Sequence, residues 1–219
     1  MKARRPINDR PVGTPLGRDG FARLVPVSRE TLERLDAYVA LLKSWNSRIN
    51  LVGATTLGDP WRRHILDSAQ LLSFMPRDAR VLVDIGSGAG LPGLVLALMG
   101  AAQVHLIESD QRKAVFLREA VRITGAAVTV HAVRAERLPS LVADVVTARA
   151  VAALPDLLDL VEPFLSPHSI CLFLKGRTVQ EELTAAAKTW KMRTRLEPSR
   201  SDPGGMVLLV EAIAREPRR

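Results

Sequence analysis

From Ala79 onward, apolar bursts of strand length alternate with stretches of helical periodicity, and this alternation leaves few folds open. The bursts fall at residues 80–85, 103–107, 128–133, 144–147 and 169–174, with helical stretches at 91–99, 111–124, 153–165 and 178–190. In the stretch from Gln111, the residues Lys113, Phe116, Leu117, Ala120, Val121 and Thr124 share one face, and Gly125 suits a left-handed C-cap. Strands apolar on both faces, each followed by a helix, imply a parallel sheet covered by helices on both sides. No helix follows residues 191–197. Instead Ser201-Asp202-Pro203-Gly204-Gly205 leads into a last strand at 206–213, which implies a terminal antiparallel hairpin. The expected fold is α/β, a mostly parallel, seven-stranded, Rossmann-like sheet at 79–219.

Two helices precede this core. After Ser28, a suitable N-cap, Leu32, Leu35, Val39, Leu42 and Trp45 keep to one face. A second helix starts at Asp59-Pro60, buries Ile65, Leu66, Ala69 and Leu72, and stops before Pro76. Residues 28–78 thus read as a helical extension, packed with the core into one compact unit over 28–219. Residues 1–27 hold Pro6, Pro11, Pro15 and Pro26 among many arginines and few apolar residues, and read as a flexible basic arm.

The charge balance bears on partners. With 31 Lys+Arg against 23 Asp+Glu the chain carries a formal charge of +8, which favours a polyanion such as nucleic acid. A codon bias toward arginine would account for arginine in place of lysine, but not for the shortage of acid. The longest strictly apolar run, Leu94 to Met99, is far too short to cross a membrane, and nothing near Met1 reads as a signal peptide. The lone Cys171 lies in an apolar run, which argues against a disulfide framework or a cysteine metal site. A cytoplasmic protein, monomeric and without metal, is expected.

The segment that carries chemistry is Val83-Asp84-Ile85-Gly86-Ser87-Gly88-Ala89-Gly90-Leu91-Pro92-Gly93, where the first strand meets the first helix. Glycines let a backbone turn sharply and approach a ligand with no side chain between. A following helix start turns free N–H groups toward that ligand. Two nucleotide cofactors compete for the turn. Residues 88–93 fit the dinucleotide pattern GxGxxG, but begin late and place Pro92 before the last glycine. Gly86, Gly88 and Gly90 directly after Asp84 suit S-adenosylmethionine better, since Asp84 offers a partner for its ammonium. Glu108, 18 residues past Gly90, ends the second strand, where a carboxylate accepts from ribose hydroxyls in either case. Ala135 and Glu136 end the third strand, where an adenine would lie. Arg149 ends the fourth, where cofactor and acceptor would meet, and Lys175-Gly176 ends the fifth. His64, Asp67 and Ser68 share a helix face. A serine in mid-helix lacks the strained turn or oxyanion hole of a nucleophile, so packing or RNA contact suits that face better than hydrolysis.

Taken in order, Trp45-Asn46, Ile49-Asn50-Leu51, Arg63-His64-Ile65-Leu66-Asp67-Ser68, the glycine segment, Leu106-Ile107-Glu108-Ser109, Arg134-Ala135-Glu136, Ala148-Arg149-Ala150 and Lys175-Gly176 resemble the bacterial 16S rRNA guanine-N7 methyltransferases called RsmG, formerly GidB. The resemblance runs from about Leu32 to Ile213. It implies a class I methyltransferase fold, S-adenosyl-L-methionine as cofactor, and a guanine in the decoding-region loop of small-subunit rRNA as acceptor. It also implies cofactor contacts at Gly86, Leu91, Ala135, Glu136 and Arg149. One departure is Glu211-Ala212-Ile213-Ala214-Arg215, where the family's last strand is often more basic. The rival readings are an NAD-dependent reductase and a non-catalytic RNA-binding protein. The first needs a catalytic Tyr/Lys pair or His, and the only tyrosine is Tyr38, in the front helix. The second has no use for the set of Asp84, glycines and Glu108.

Overall fold

A computed structural model describes residues 14–101, 103–138 and 141–216. One seven-stranded sheet runs in the order β3-β2-β1-β4-β5-β7-β6. Its strands are β1 (Leu82–Ile85), β2 (Val104–Ile107), β3 (Val128–His131), β4 (Val145–Arg149), β5 (Ile170–Lys175), β6 (Trp190–Pro198) and β7 (Met206–Arg215). The first five are parallel. β7 runs antiparallel to β5, and β6 to β7, so the expected hairpin closes one edge.

Alternation along β1 splits the core. Leu82 packs on one face with the helices α2 (Arg29–Asn46), α4 (Gly93–Leu98) and α5 (Gln111–Thr124). Val83 and Ile85 face the other way, onto α6 (Leu154–Val161) and α7 (Val179–Ala186). Asp84 falls on the first face, a buried carboxyl beneath α4. Ser28 caps α2 by accepting from the Thr31 N–H, and Gly125 ends α5 at φ 64°.

The structure corrects several expectations. Part of the segment read as a flexible arm is folded: α1 (Gly17–Leu24) buries Phe21 completely, 5.5 Å from the Trp61 ring, and Leu16 donates its N–H to Asp59. Phe21 seats it, with Leu16, Ala22, Leu24, Val25 and Val27 packed, partly buried, against the same core. Residues 1–13 of that arm lie outside the described residues. The second front helix is not a single α-helix but a π-helical stretch, Trp61–Leu66, then α3 (Asp67–Ala69) and a 3-10 turn, Gln70–Ser73. α4 starts at Gly93 rather than at residue 91, and α6 gives way to a 3-10 turn around Pro163, whose ring cannot continue a helix. Trp190, read as the end of a helix, instead begins β6, buried under the guanidinium of Arg215. No helix among the described residues is long and apolar enough to cross a membrane.

Candidate active site

At the end of β1 the chain makes the turn that the glycines foretold. Gly86, Gly88 and Gly90 all take positive φ, at 61°, 54° and 87°. Gly86 and Gly90 are needed twice over, because a Cβ would meet Val151 at 2.7 Å in the first case and Leu94 at 2.9 Å in the second. Gly88 differs: a Cβ there would find only the Gly86 carbonyl, at 3.8 Å. Its backbone faces open space, as a ligand-facing position must.

Glu108 comes to the same place. It is nearly buried, and its carboxylate accepts from the Gly88 N–H at 2.8 Å and the Asp110 N–H at 2.7 Å. Asp84 does not behave as expected. It has no exposed surface, accepts from the Thr147 hydroxyl at 2.7 Å and the Gly93 N–H at 3.2 Å, and is pushed up to about pKa 6 by burial. It braces the turn from beneath instead of presenting a charge to an ammonium. The Gly93 N–H is spent on that brace, and six-residue α4 offers no free helix start to a ligand. A Cβ at Gly93 would lie 2.7 Å from that of Asp84, so this glycine serves close helix–strand packing.

A second brace had no sequence signal. Tyr38 in α2 is fully buried and donates its hydroxyl to the Ala89 carbonyl at 2.7 Å, in the middle of the turn. Burial pushes its phenol above the usual range, which suits a fixed donor and not a proton-transfer catalyst. Leu91 is buried in the core beside it. Beyond β3, Ala135 and Glu136 lie in a 3-10 turn, the first buried and the second exposed. A cleft of about 410 Å³ opens there between Ser109–Gln111 and Ala132–Arg134 with Arg137.

The ends of β4 and β5 line another cleft, of about 280 Å³, bounded by Arg63, Asp67, Arg149, Lys175, Asp202 and neighbours. Arg149 is not a solvated strand-end charge. Its Nη1 donates to Asp67 at 3.0 Å and to the Arg63 carbonyl at 3.1 Å, and its Nη2 donates to His64 Nδ1 at 2.8 Å. The π-helical stretch makes this possible: the Asp67 N–H reaches back to the Arg62 carbonyl, and the Arg63 carbonyl takes the guanidinium. Because His64 accepts at Nδ1, its proton sits on Nε2 and is donated to Thr56 at 2.9 Å. Burial, with Arg149 and Arg63 close by, lowers it to about pKa 3, so it stays neutral. Asp67 also accepts from the Ser201 hydroxyl and from Gln70, and burial raises its pKa despite the arginine. Ser68 instead turns to the His64 carbonyl, which leaves no Ser/His/Asp relay. Lys175 is tied to Glu182 at 2.7 Å and to the Ala152 carbonyl at 2.9 Å. Val151 leans over Gly86, so the Arg149 loop and the glycine turn adjoin.

The family model for rRNA small subunit methyltransferase G (GidB) matches residues 31–200. The chain belongs to that family. A "Ribosomal RNA small subunit methyltransferase G" of Rhodospirillum centenum is 59% identical over 194 residues, spanning 89% of this chain and 90% of that protein. One of Rhodospirillum rubrum is 55% identical over 197 residues, or 90% and 98%. Among solved structures, a putative O-methyltransferase from Klebsiella pneumoniae superposes with a TM-score of 0.55 at 14% identity, covering 88% of this chain and 94% of that one. M. jannaschii TYW2 in complex with AdoMet superposes at 0.53 and 19% identity, covering 68% and 74%. These likenesses show the class I methyltransferase fold that the family resemblance implied.

The glycine turn of this methyltransferase suits a sulfonium nucleoside. Gly88 leaves room for a ligand, Glu108 offers carboxylate oxygens, and the Gly93 N–H at the helix start, which a pyrophosphate would use, is spent on Asp84.

Proposed function

We propose that the chain transfers a methyl group from S-adenosylmethionine to N7 of a guanine in the decoding-region loop of 16S rRNA, acting in the cytoplasm as a metal-independent monomer. Family membership makes it an S-adenosylmethionine-dependent methyltransferase of small-subunit rRNA. The exact acceptor atom and the residue roles are our reading. The observation that carries it is the open Gly88 turn with the Glu108 carboxylate at its N–H.

In this reading Gly86, Gly88, Gly90 and Leu91 form the floor beneath the cofactor, and Glu108 holds its ribose. Ala135 and Glu136 flank the adenine, with Arg149 at the methyl-bearing end. Asp84 and Tyr38 act from behind, by keeping the turn in shape. When bound, the cofactor supplies an electrophilic methyl on sulfur. Guanine N7 would attack with an in-plane lone pair as the sulfur–methyl bond breaks and S-adenosylhomocysteine leaves. N7 has no proton to lose, so no general base is required and the protein's work is alignment and exclusion of water. Arg149 suits the neighbouring O6, since it donates in a rigid fork and does not deprotonate. A base in a single-stranded loop can be splayed into such a cleft at small cost.

The direct test uses small-subunit rRNA and small subunits from a strain lacking this gene, incubated with methyl-labelled cofactor. N7 methylation makes the ring reducible by borohydride and the chain then cleavable by aniline. One labelled guanine that cleaves supports the reading. Label on an exocyclic amine or a ribose, which does not cleave, refutes it.

A further inference from the structure

We propose that His64 and Asp67 are positioning residues for methyl transfer: they fix the direction in which Arg149 presents its remaining N–H groups to the acceptor. The inference rests on the reading above, in which the acceptor enters beside Arg149.

An arginine at a strand end ordinarily samples many rotamers. This one is held at three points, by Asp67, the Arg63 carbonyl and His64. A guanidinium has five N–H groups in one plane. Both on Nη1 and one on Nη2 are taken, so Nε–H and the second Nη2–H are without a partner among the described residues. These two are what the cleft can use. Each holding partner is itself held. Asp67 accepts from Ser201 and Gln70, and His64 donates to Thr56, whose hydroxyl donates to the Gly53 carbonyl at 2.6 Å. His64 works here only as a neutral acceptor, a state its buried, cation-flanked position enforces. A simple tie between front helix and sheet would need Asp67 alone. Orienting the plane of the guanidinium takes the second acceptor on Nη2 as well.

The two accounts separate in a double-mutant cycle read by single-turnover methylation at saturating RNA and cofactor. Arg149→Ala should slow transfer roughly ten- to 150-fold. Asp67→Asn should slow it at least about tenfold in the parent but less than about twofold further in the Arg149→Ala background, with RNA affinity little changed. His64→Gln, which loses an acceptor at the Nδ1 position, should be impaired, and His64→Asn, which keeps one there, should recover to within about threefold of the parent. The unliganded protein offers a readout that does not depend on turnover. Nitrogen-15 side-chain spectra should resolve the Arg149 Nη hydrogens in the parent and show them averaged in Asp67→Asn and His64→Gln. Equal losses from Asp67→Asn with and without Arg149 would overturn the proposal, as would a freely rotating Arg149 guanidinium in the parent. A parent that methylates no small-subunit rRNA would refute the functional reading instead, and the spectra would still decide whether Arg149 is clamped.

Discussion

At the ends of β1 and β2 the site draws on one stretch of chain, residues 84–110, whose backbone bends back on itself until Glu108 meets the Gly88 N–H. At the ends of β4 and β5 it draws on four separate stretches, near 61–70, 149–152, 175–182 and 199–205. The first half is shaped by backbone: three positive φ angles, and N–H groups donated to carboxylates. The second is shaped by charged side chains gripping one another across more than eighty residues of sequence. A backbone site is rigid at the level of the fold, and changes at its packed glycines, Gly86 and Gly90, act on stability, while the open Gly88 acts on binding. A side-chain site can be retuned by single substitutions, and changes there act on rate as well as on the pH dependence of stability.

That contrast can be broken most forcefully at Gly90. An alanine there must hold φ near 87° and place its Cβ 2.9 Å from that of Leu94. The left-handed backbone and the overpacking together should cost about 2–4 kcal/mol, read as a lowered urea midpoint. Unchanged stability would show that the turn is softer than its angles suggest.

The two halves should also respond to pH with opposite sign. Asp84 has a folded pKa of about 6 against 3.8. The native state therefore holds its proton longer, and this group's contribution to stability falls as pH rises from about 4 to about 6. His64 has a folded pKa of about 3 against 6.5. Here the unfolded chain binds the proton more tightly, so stability is lost as pH falls from about 6.5 toward 3. Over the shared window the two offset each other. Relative to the parent, Asp84→Asn should gain stability with rising pH between about 4 and 6, by about 2–3 kcal/mol, and His64→Asn should lose it with rising pH by a similar amount. Unfolding curves at four pH values decide the matter, and parallel profiles for all three proteins would show that neither group is perturbed as described.

The smallest expected effect tests how far the front helices belong to the cofactor half. Tyr38→Phe removes the donor to Ala89 and leaves a buried carbonyl without that partner, at about 1–2 kcal/mol. If the turn depends on this brace, S-adenosylhomocysteine should also bind several-fold more weakly. Calorimetry showing lost stability with unaltered affinity would make Tyr38 a packing residue only.

How much of this could be read from the chain follows the same division. The strand–helix alternation, the glycine turn and the place of Glu108 at the end of the second strand depend on local rules, and those residues lie where the rules put them. Asp84 was located correctly but its direction was not, because the depth at which a strand end sits under the next helix is a tertiary fact. The bond from Tyr38 to Ala89 spans 51 residues and no pattern in either segment announces it. For His64 and Asp67 the helical spacing placed them together. Their arginine, 85 residues from His64 and 82 from Asp67, only the folded sheet could supply. Phe21 was missed because composition averages a segment, and a few scattered apolar residues, Phe21 with Leu16, Ala22 and Leu24, dock it on the core.

The most direct test of the account is calorimetric titration of S-adenosylhomocysteine and of NADH into the parent and into Gly88→Asn. Asparagine tolerates a positive φ, and a Cβ at Gly88 would meet nothing closer than the Gly86 carbonyl at 3.8 Å, so the variant should keep its fold. The account predicts that the parent binds S-adenosylhomocysteine and not NADH, and that the folded variant binds neither. Binding of NADH by the parent, or undiminished S-adenosylhomocysteine affinity in a folded Gly88→Asn, would contradict it.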